Sequence, residues 1–162
     1  MRDGLMPPVS IRPACDDDKP AIWQCYEEAL RHHIEMIWGW DDGWQQQNFD
    51  QAFVRLSTQV VEVDGRFAGY VQIDSGVDED YLSMLVLDPA VRSRGVGARL
   101  LTAIQAHSQA HGRGLYLRVF RTNASARRFY EREGWTLTAD EGDFLVMRRL
   151  TDPALLCSCP SS

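Results

Sequence analysis

Hydrophobic and polar positions along the chain predict a series of short strands and amphipathic helices. Residues 9–12 form a predicted strand, and the carboxylates of residues 16–18 before Pro20 predict the start of a helix, where acidic groups stabilise the positive end of the helix dipole. Gly39 is expected to end this helix. Its apolar face, at a spacing of three to four residues, comprises Ile22, Cys25, Tyr26, Ala29, His33, Met36 and Ile37.

A second helix is predicted over residues 44–56. Two β-rich runs, residues 59–63 and 67–73, are joined through Asp64-Gly65, a strong signal for a tight hairpin. Residues 81–87 form a nearly continuous apolar run, which is typical of a buried central strand. The remaining predicted elements are a helix at 98–110, a strand at 115–120, a helix at 124–133 and strands at 135–137 and 144–147.

The predicted order is β-α-α-β-β-β-α-β-α-β-β, which indicates an α/β fold with a mixed sheet, because helices link some strands and tight turns link others. The 162 residues fit one domain that can bury a sizeable core. We expect that domain at residues 9–150, with an N-terminal tail at 1–8 and a flexible C-terminal tail at 151–162.

Charge is distributed unevenly along this acidic chain, whose formal net charge is −6. Residues 1–88 contain 6 basic and 17 acidic side chains, residues 89–139 contain 9 and 2, and residues 140–162 contain 2 and 4. All nine basic residues of the central block are arginines. This pattern suits a protein that binds a small polyanion, whereas the overall acidity argues against a general nucleic-acid binder.

Other classes of protein and site find little support in the sequence. No run approaches the roughly 20 apolar residues of a membrane span, and the first residues do not resemble a signal peptide, so a cytoplasmic protein is expected. Cys15, Cys25, Cys157 and Cys159 lack the paired spacing of a zinc site or a disulfide framework. We therefore expect no metal.

A glycine-rich turn follows the buried strand and opens a helix. In Arg92-Ser93-Arg94-Gly95-Val96-Gly97-Ala98 the glycines permit a sharp turn and a close approach to a ligand, and the free N–H groups of the helix start suit an anion. Arg92, Arg94 and Arg99 add positive charge. The loop lacks the Gly-Lys-Ser/Thr ending of a P-loop and the third glycine of the dinucleotide fingerprint, because Leu100 stands there.

Leu87-Asp88-Pro89 followed by this turn resembles the acyl-CoA pyrophosphate loop of the GNAT superfamily of N-acyltransferases. The segment 123–135 resembles the second motif of that family, Asn-x-x-Ala-x-x-Phe-Tyr-x-x-x-Gly-Phe, with Trp135 in the last aromatic position. The resemblance covers about residues 9–149. It implies the GNAT fold, a mixed sheet of six to seven strands flanked by about four helices, and acetyl-CoA as co-substrate.

The resemblance also implies where acetyl-CoA binds. Its pantetheine arm is expected between the fourth and fifth strands, against the backbone of Leu85, Val86 and Leu87, and its pyrophosphate on the amides of Arg94, Gly95, Val96, Gly97 and Ala98, with Arg92 nearby. Asn123 either contacts the arm or caps the helix that follows it. By the same resemblance Tyr130 corresponds to the tyrosine that acts as general acid in many GNAT enzymes, and a tyrosine hydroxyl is protonated at neutral pH.

The general base and the acceptor are left open. A backbone N–H near Leu85 or Val86 is expected to stabilise the thioester carbonyl oxygen. Some GNAT enzymes have a glutamate or histidine on the fourth strand as the general base, but this strand carries Tyr81, Ser83 and Met84 instead. The remaining candidates for the base are a water relay, His33 and Glu35.

The segment 32–44 holds three of the five tryptophans and is similar to a His-Ile-x-x-Ile-Trp-Gly-Trp-Asp pattern of uncharacterised bacterial GNAT proteins. In that fold it covers the acceptor side. Indole faces and a carboxylate attract cations, so His33, Trp38, Trp40 and Asp41 are candidate substrate-binding residues. The alternative is a tryptophan-rich junction between two helices.

The leading hypothesis is therefore an acetyl-CoA-dependent N-acetyltransferase that acts on a primary amine of a small molecule or peptide by direct transfer in a ternary complex. The alternative is a non-catalytic acyl-CoA sensor of the same fold. A third interpretation gives the arginines a regulatory or nucleic-acid-binding role. We expect acetyl-CoA and an amine as partners, no nucleic acid or membrane, and leave a homodimer open.

Overall fold

The structure, a computed structural model, describes residues 8–92 and 94–149 and consists of one seven-stranded sheet with helices on both faces. The strands lie in the order β1-β2-β3-β4-β5-β7-β6. Their bounds are β1 Val9–Pro13, β2 Ser57–Val63, β3 Arg66–Ser75, β4 Glu79–Leu87, β5 Gly114–Phe120, β6 Trp135–Asp140 and β7 Phe144–Arg149. Residues 1–7 of the predicted N-terminal tail at 1–8 and the whole predicted C-terminal tail at 151–162, with Cys157 and Cys159, lie outside the described residues.

Every neighbouring pair of strands is antiparallel except β4 and β5, which run parallel at the centre of the sheet. These two strands pair only from Glu79–Gly114 to Leu82–Leu117. Beyond that point β4 continues to Leu87 and β5 continues to Phe120, but the two strands no longer pair with each other. The sheet therefore has a gap between the C-terminal ends of its two central strands.

Four α-helices cover the sheet: α1 Lys19–Ile37, α2 Asp42–Arg55, α3 Val96–Ala110 and α4 Ala124–Arg132. Successive strand residues point to opposite faces, so the sheet takes part in two buried clusters. On one face, Val71, Leu82 and Leu117 pack with α3 and α4. On the other, Tyr70, Val86 and Phe120 pack with α1 and α2.

The described residues confirm the predicted fold class and element order, and most predicted bounds lie within three residues of those observed. The hairpin at Asp64-Gly65 is present, and both residues have positive φ, 55° and 76°, as a two-residue turn of this type requires. Met36 was wrongly placed on the buried face of α1. It is 59% exposed, and Ile34 is buried in its place, since it lies four residues after Leu30.

The closed end of the gap is held by a buried carboxylate. Asp80 on β4 is 1% exposed, and it accepts hydrogen bonds from Arg113 Nε at 2.6 Å and from Ser108 Oγ at 2.7 Å. Burial alone would raise the pKa of Asp80, but the bonds from Arg113 and Ser108 outweigh it and hold that pKa below its usual range. This network connects the start of β4 with the end of α3.

At the open end, β3 and β4 approach each other closely at Gly69. This residue pairs with Leu87 and has φ of 150°. A Cβ atom at this position would lie 2.1 Å from the Val86 carbonyl oxygen, so only glycine fits. The close approach fixes the part of β4 that borders the gap.

Candidate functional site

The gap exposes backbone groups of β4. Residues of an antiparallel strand alternate between those bonded to the partner and those directed away from it. The Asp88 N–H donates to the Ala68 carbonyl at 2.7 Å, so Asp88 and Val86 bond towards β3, whereas the N–H and C=O groups of Leu85 and Leu87 face the gap. The Leu87 carbonyl accepts a hydrogen bond from Arg92 Nε at 2.9 Å. Of the three predicted backbone contacts, those of Leu85 and Leu87 face the site and that of Val86 does not.

The N-terminus of α3 lies next to this edge. Gly95 precedes the helix with φ of 79°, a left-handed conformation that favours glycine, and no described side chain caps the helix. The N–H groups of Val96, Gly97 and Ala98 therefore lack intrahelical acceptors and suit an anion. Arg94 is exposed beside them, and Ser93 lies outside the described residues.

Gly97 also lets α3 approach α4. A Cβ atom on Gly97 would lie 3.0 Å from the Phe129 ring and 3.6 Å from Leu87 Cδ1. Phe129 thus packs against the first turn of α3, and its neighbour Tyr130 is buried in the same cluster as Leu82 and Leu117, the last paired residues of β4 and β5. The two motifs noted in the sequence meet at this contact.

Tyr130 is 9% exposed and packs edge-on against Phe129 and Trp135, with ring centroids 5.1 and 6.0 Å away. Burial raises the pKa of the Tyr130 phenol well above its ordinary value. It therefore keeps its proton at neutral pH. Two alternatives were predicted for Asn123, a contact with the pantetheine arm or a helix cap. It caps α4, because its Oδ1 accepts the Ala126 N–H at 3.1 Å.

Four aromatic rings line the other face of the sheet at the end of β5, and we call them the aromatic wall: His33, Trp38, Phe120 and Phe144. The Phe120 ring stacks on His33 at 5.6 Å and on Phe144 at 4.8 Å, and Trp38 lies 5.9 Å from both phenylalanines. Trp38 is 57% exposed. The wall joins the end of α1 to the start of β7 next to the gap.

Trp40 and Asp41, the other two predicted substrate-binding residues, lie apart from the wall. Trp40 packs on Trp23 and Tyr26, donates from Nε1 to Asp42 Oδ1 at 2.7 Å, and has the Arg31 guanidinium over its ring at 5.1 Å. Asp41 Oδ1 accepts the Trp44 N–H at 2.8 Å and so caps α2. Their observed contacts are those of a junction between α1 and α2.

Three residues that were not predicted from the sequence contact the predicted ones: Phe120, Phe144 and Thr122. Phe120 and Phe144 face each other only because β5 and β7 pair in one particular register. Thr122 lies in the turn before α4, with its Oγ1 2.8 Å from His33 Nδ1. No local pattern identifies such partners, since 89 residues separate Thr122 from His33.

Two kinds of site are not seen in the described ranges. No helix of residues 8–92 and 94–149 is long and apolar enough to cross a membrane. Within the same part of the chain, no group of three or more histidine, cysteine or acidic side chains is placed to hold a metal ion.

Comparison with known proteins identifies the fold. The model of the acetyltransferase (GNAT) family matches residues 19–135. The PaiA N-acetyltransferase of Thermoplasma acidophilum, solved with coenzyme A, superposes with a TM-score of 0.71 at 16% identity, over 88% of this chain and 98% of that one. The ribosomal-protein-S18-alanine N-acetyltransferase of Escherichia coli gives 0.59 at 21% identity, over 86% and 92%. No curated protein matches the chain by sequence.

Proposed function

Because the chain belongs to the acetyltransferase (GNAT) family, we propose that it transfers an acetyl group from acetyl-CoA to the primary amine of a small molecule or peptide, by direct transfer in a ternary complex. The observation that carries the proposal is the gap between β4 and β5. Its edge presents the N–H and C=O of Leu85 and the N–H of Leu87, which have no strand opposite them, beside the uncapped start of α3.

The residues around the gap fit acetyl-CoA. Leu85 offers one N–H and one C=O to the amides of an extended arm, as a neighbouring strand would. The amides of Val96, Gly97 and Ala98 receive the pyrophosphate, assisted by Arg94 and by the Arg92 guanidinium, which the Leu87 carbonyl holds at the end of β4. Gly95 supplies the left-handed turn that aims these amides.

Acetyl-CoA supplies the acyl group as a thioester with an electrophilic carbonyl carbon. The Leu85 N–H is the donor that we assign to the carbonyl oxygen, which gains negative charge when the amine attacks. Tyr130 provides the proton for the departing sulfur, since burial keeps its phenol protonated. The amine approaches from the face of the aromatic wall, where His33 and Trp38 contact it. Trp40 and Asp41 lie outside this wall, at the junction of α1 and α2.

Free-thiol release tests the proposal directly. The protein is incubated with acetyl-CoA and a panel of arylalkylamines, polyamines and short peptides, and thiol and acetylated amine are measured together. We expect transfer to at least one class, and a loss of about 10²-fold or more in kcat in Tyr130→Phe with unchanged acetyl-CoA affinity. Phe129→Leu, an apolar change on the same helix, is the control for packing.

The alternative function, a non-catalytic acyl-CoA sensor, is favoured by one observation: Glu79 and Asp80, the carboxylates of β4, are both held by arginines, Arg148 and Arg113. Tight binding of acetyl-CoA by calorimetry with no acetylated product from any amine would support the sensor. Transfer that depends on Tyr130 would exclude it.

A further inference from the structure

Helix α1 crosses the gap. Its residues Tyr26 and Ile34 belong to the same buried cluster as Val86 on β4 and Phe120 on β5, which lie on opposite sides of the gap. The part of α1 between these contacts therefore covers the acceptor face of the opening. A titratable side chain on the sheet-facing side of this stretch would lie near the attacking nitrogen.

His33 is such a side chain, and its ring is held on two sides. One face stacks on Phe120, with ring centroids 5.6 Å apart and planes 21° apart. Nδ1 lies 2.8 Å from Thr122 Oγ1. When Nδ1 carries the proton, it donates to Thr122, and Nε2 is left with its lone pair. The ring is half-buried, so Nε2 is available to a ligand.

We infer that His33 is the general base, taking a proton from the acceptor ammonium group at Nε2 while Thr122 holds the ring through Nδ1. The inference rests on the proposed function and adds to it the residue that generates the nucleophile.

Three carboxylates of β4 and α1 are already engaged in ion pairs. Glu35 accepts from Arg31 Nε at 2.7 Å, Glu79 from Arg148 Nε at 2.6 Å, and Asp80 is buried between Arg113 and Ser108. Taking up a proton would cost each of these carboxylates its ion pair. His33 has no carboxylate partner among the described residues, so its protonation breaks no ion pair.

The surroundings of His33 keep it neutral. Burial and the neighbouring His32, whose ring lies 5.6 Å away on α1, lower the pKa of His33 below its usual value. On the β5 side the nearest charged residue in sequence, Arg121, is ion-paired with Asp140, and the packing partner from β7 is Phe144, which has no charge. Neutral imidazole is the form that accepts a proton.

The protons balance as follows. The ammonium group gives one proton to His33 Nε2, and the resulting amine forms the C–N bond. The C–S bond breaks, and Tyr130 gives its proton to the sulfur. The nitrogen loses its second proton, which restores Tyr130 through solvent, and His33 releases its proton to bulk water. The net products are the amide, free thiol and one proton.

The test compares His33→Gln with His111→Gln, a change of the same type at an exposed histidine after α3. We expect His33→Gln to lower kcat/KM for the best amine of the panel by about 10²-fold. His111→Gln should change it less than threefold, and both variants should bind acetyl-CoA like the wild type. The kcat/KM profile of the wild type should fall below the pKa of His33, and Thr122→Val should shift this limb.

A second readout does not depend on turnover. Imidazole nitrogen chemical shifts of the unliganded protein should show His33 with its proton on Nδ1 and a pKa below the usual value for histidine. A proton on Nε2, or full activity of His33→Gln, would overturn the assignment and leave the transferase intact. Absence of transfer by the wild type would instead refute the proposed function, and the assignment with it.

Discussion

Leu82 on β4 and Leu117 on β5 are the last two residues that pair across the centre of the sheet. Past them the two strands separate, with the uncapped N-terminus of α3 and Tyr130 of α4 on one face and the aromatic wall on the other. The gap thus joins a region suited to a polyanion with a region suited to an amine. Each of the following expectations concerns one part of it.

Charge reversal beside the helix start should weaken cofactor binding. Arg94→Glu places a carboxylate next to the open amides of α3, so we expect acetyl-CoA affinity by calorimetry to fall at least tenfold, with a weaker dependence on salt. Arg55→Glu makes the same charge change at the end of α2, where Arg55 forms only an exposed pair with Asp74. An equal loss in both variants would mean that net charge, and not the loop, controls binding.

Trp38 should affect the acceptor and not the cofactor. Trp38→Ala removes an indole that is 57% exposed and lies on Phe120 and Phe144, so we expect KM for the amine to rise about tenfold while KM for acetyl-CoA and the melting temperature change little. Trp44 is 60% exposed on α2 and serves as the matched control. If Trp44→Ala raised the amine KM equally, the aromatic wall would not be the acceptor surface.

Gly69 should tolerate no side chain. In Gly69→Ala the new Cβ would meet the Val86 carbonyl oxygen at 2.1 Å, so β3 and β4 must separate beside the gap. We expect a loss of about 3 kcal/mol or more in the free energy of unfolding by urea, and weaker acetyl-CoA binding. Gly112→Ala also has positive φ, 73°, but its Cβ would meet no atom within 4 Å, so it should lose only about 1–2 kcal/mol.

Removing the cation beside Asp80 should destabilise the closed end of the gap. In Arg113→Met the Asp80 carboxylate, which is 1% exposed, keeps only Ser108 as a side-chain partner among the described residues. We expect the free energy of unfolding to fall by about 3 kcal/mol, the low end for a broken buried ion pair, because Arg113 itself is 20% exposed. Asp80→Asn added to Arg113→Met should recover part of this loss. Additive losses would show that the two side chains act independently.

The same pair predicts a pH dependence. Since the pKa of Asp80 is lower in the folded than in the unfolded protein, its contribution to stability is complete above the unfolded value of about 4 and is lost as the pH falls through the folded value. Asp80→Asn should therefore flatten the acid limb of urea unfolding below about pH 4. Asp50→Asn, at a half-exposed position on α2, is the matched control.

The order of elements could be predicted because its signals are local: alternation in the strands, one apolar face on each helix, and Asp64-Gly65 in the hairpin. The candidate cofactor-binding residues could be proposed from equally local signals, since Gly95, Gly97 and Tyr130 lie in two motifs that are each contiguous in sequence. Met36 was misplaced because spacings of three and four residues both satisfy the helical period, and only the packing shows that Ile34 and Ile37, rather than Met36, face the core.

The acceptor side could not be predicted to the same depth. Trp38 and Trp40 are two residues apart in sequence, yet the first belongs to the aromatic wall and the second packs on Trp23 and Tyr26 of α1 with Arg31 over its ring. Which of them faces a ligand depends on the conformation at Gly39, whose φ is 82°. The partners of His33, namely Phe120 and Thr122, come from a strand end far along the chain.

The divergence of β4 and β5 gives an inner strand the solvent contact of an outer one. Amide protons at the middle of a seven-stranded sheet ordinarily exchange slowly with deuterium, because both neighbours protect them. The Leu85 N–H has no strand opposite it, whereas the Val86 N–H is bonded to β3. Adjacent residues of one central strand should therefore exchange at very different rates, and a bound arm that completes the ladder should abolish the difference.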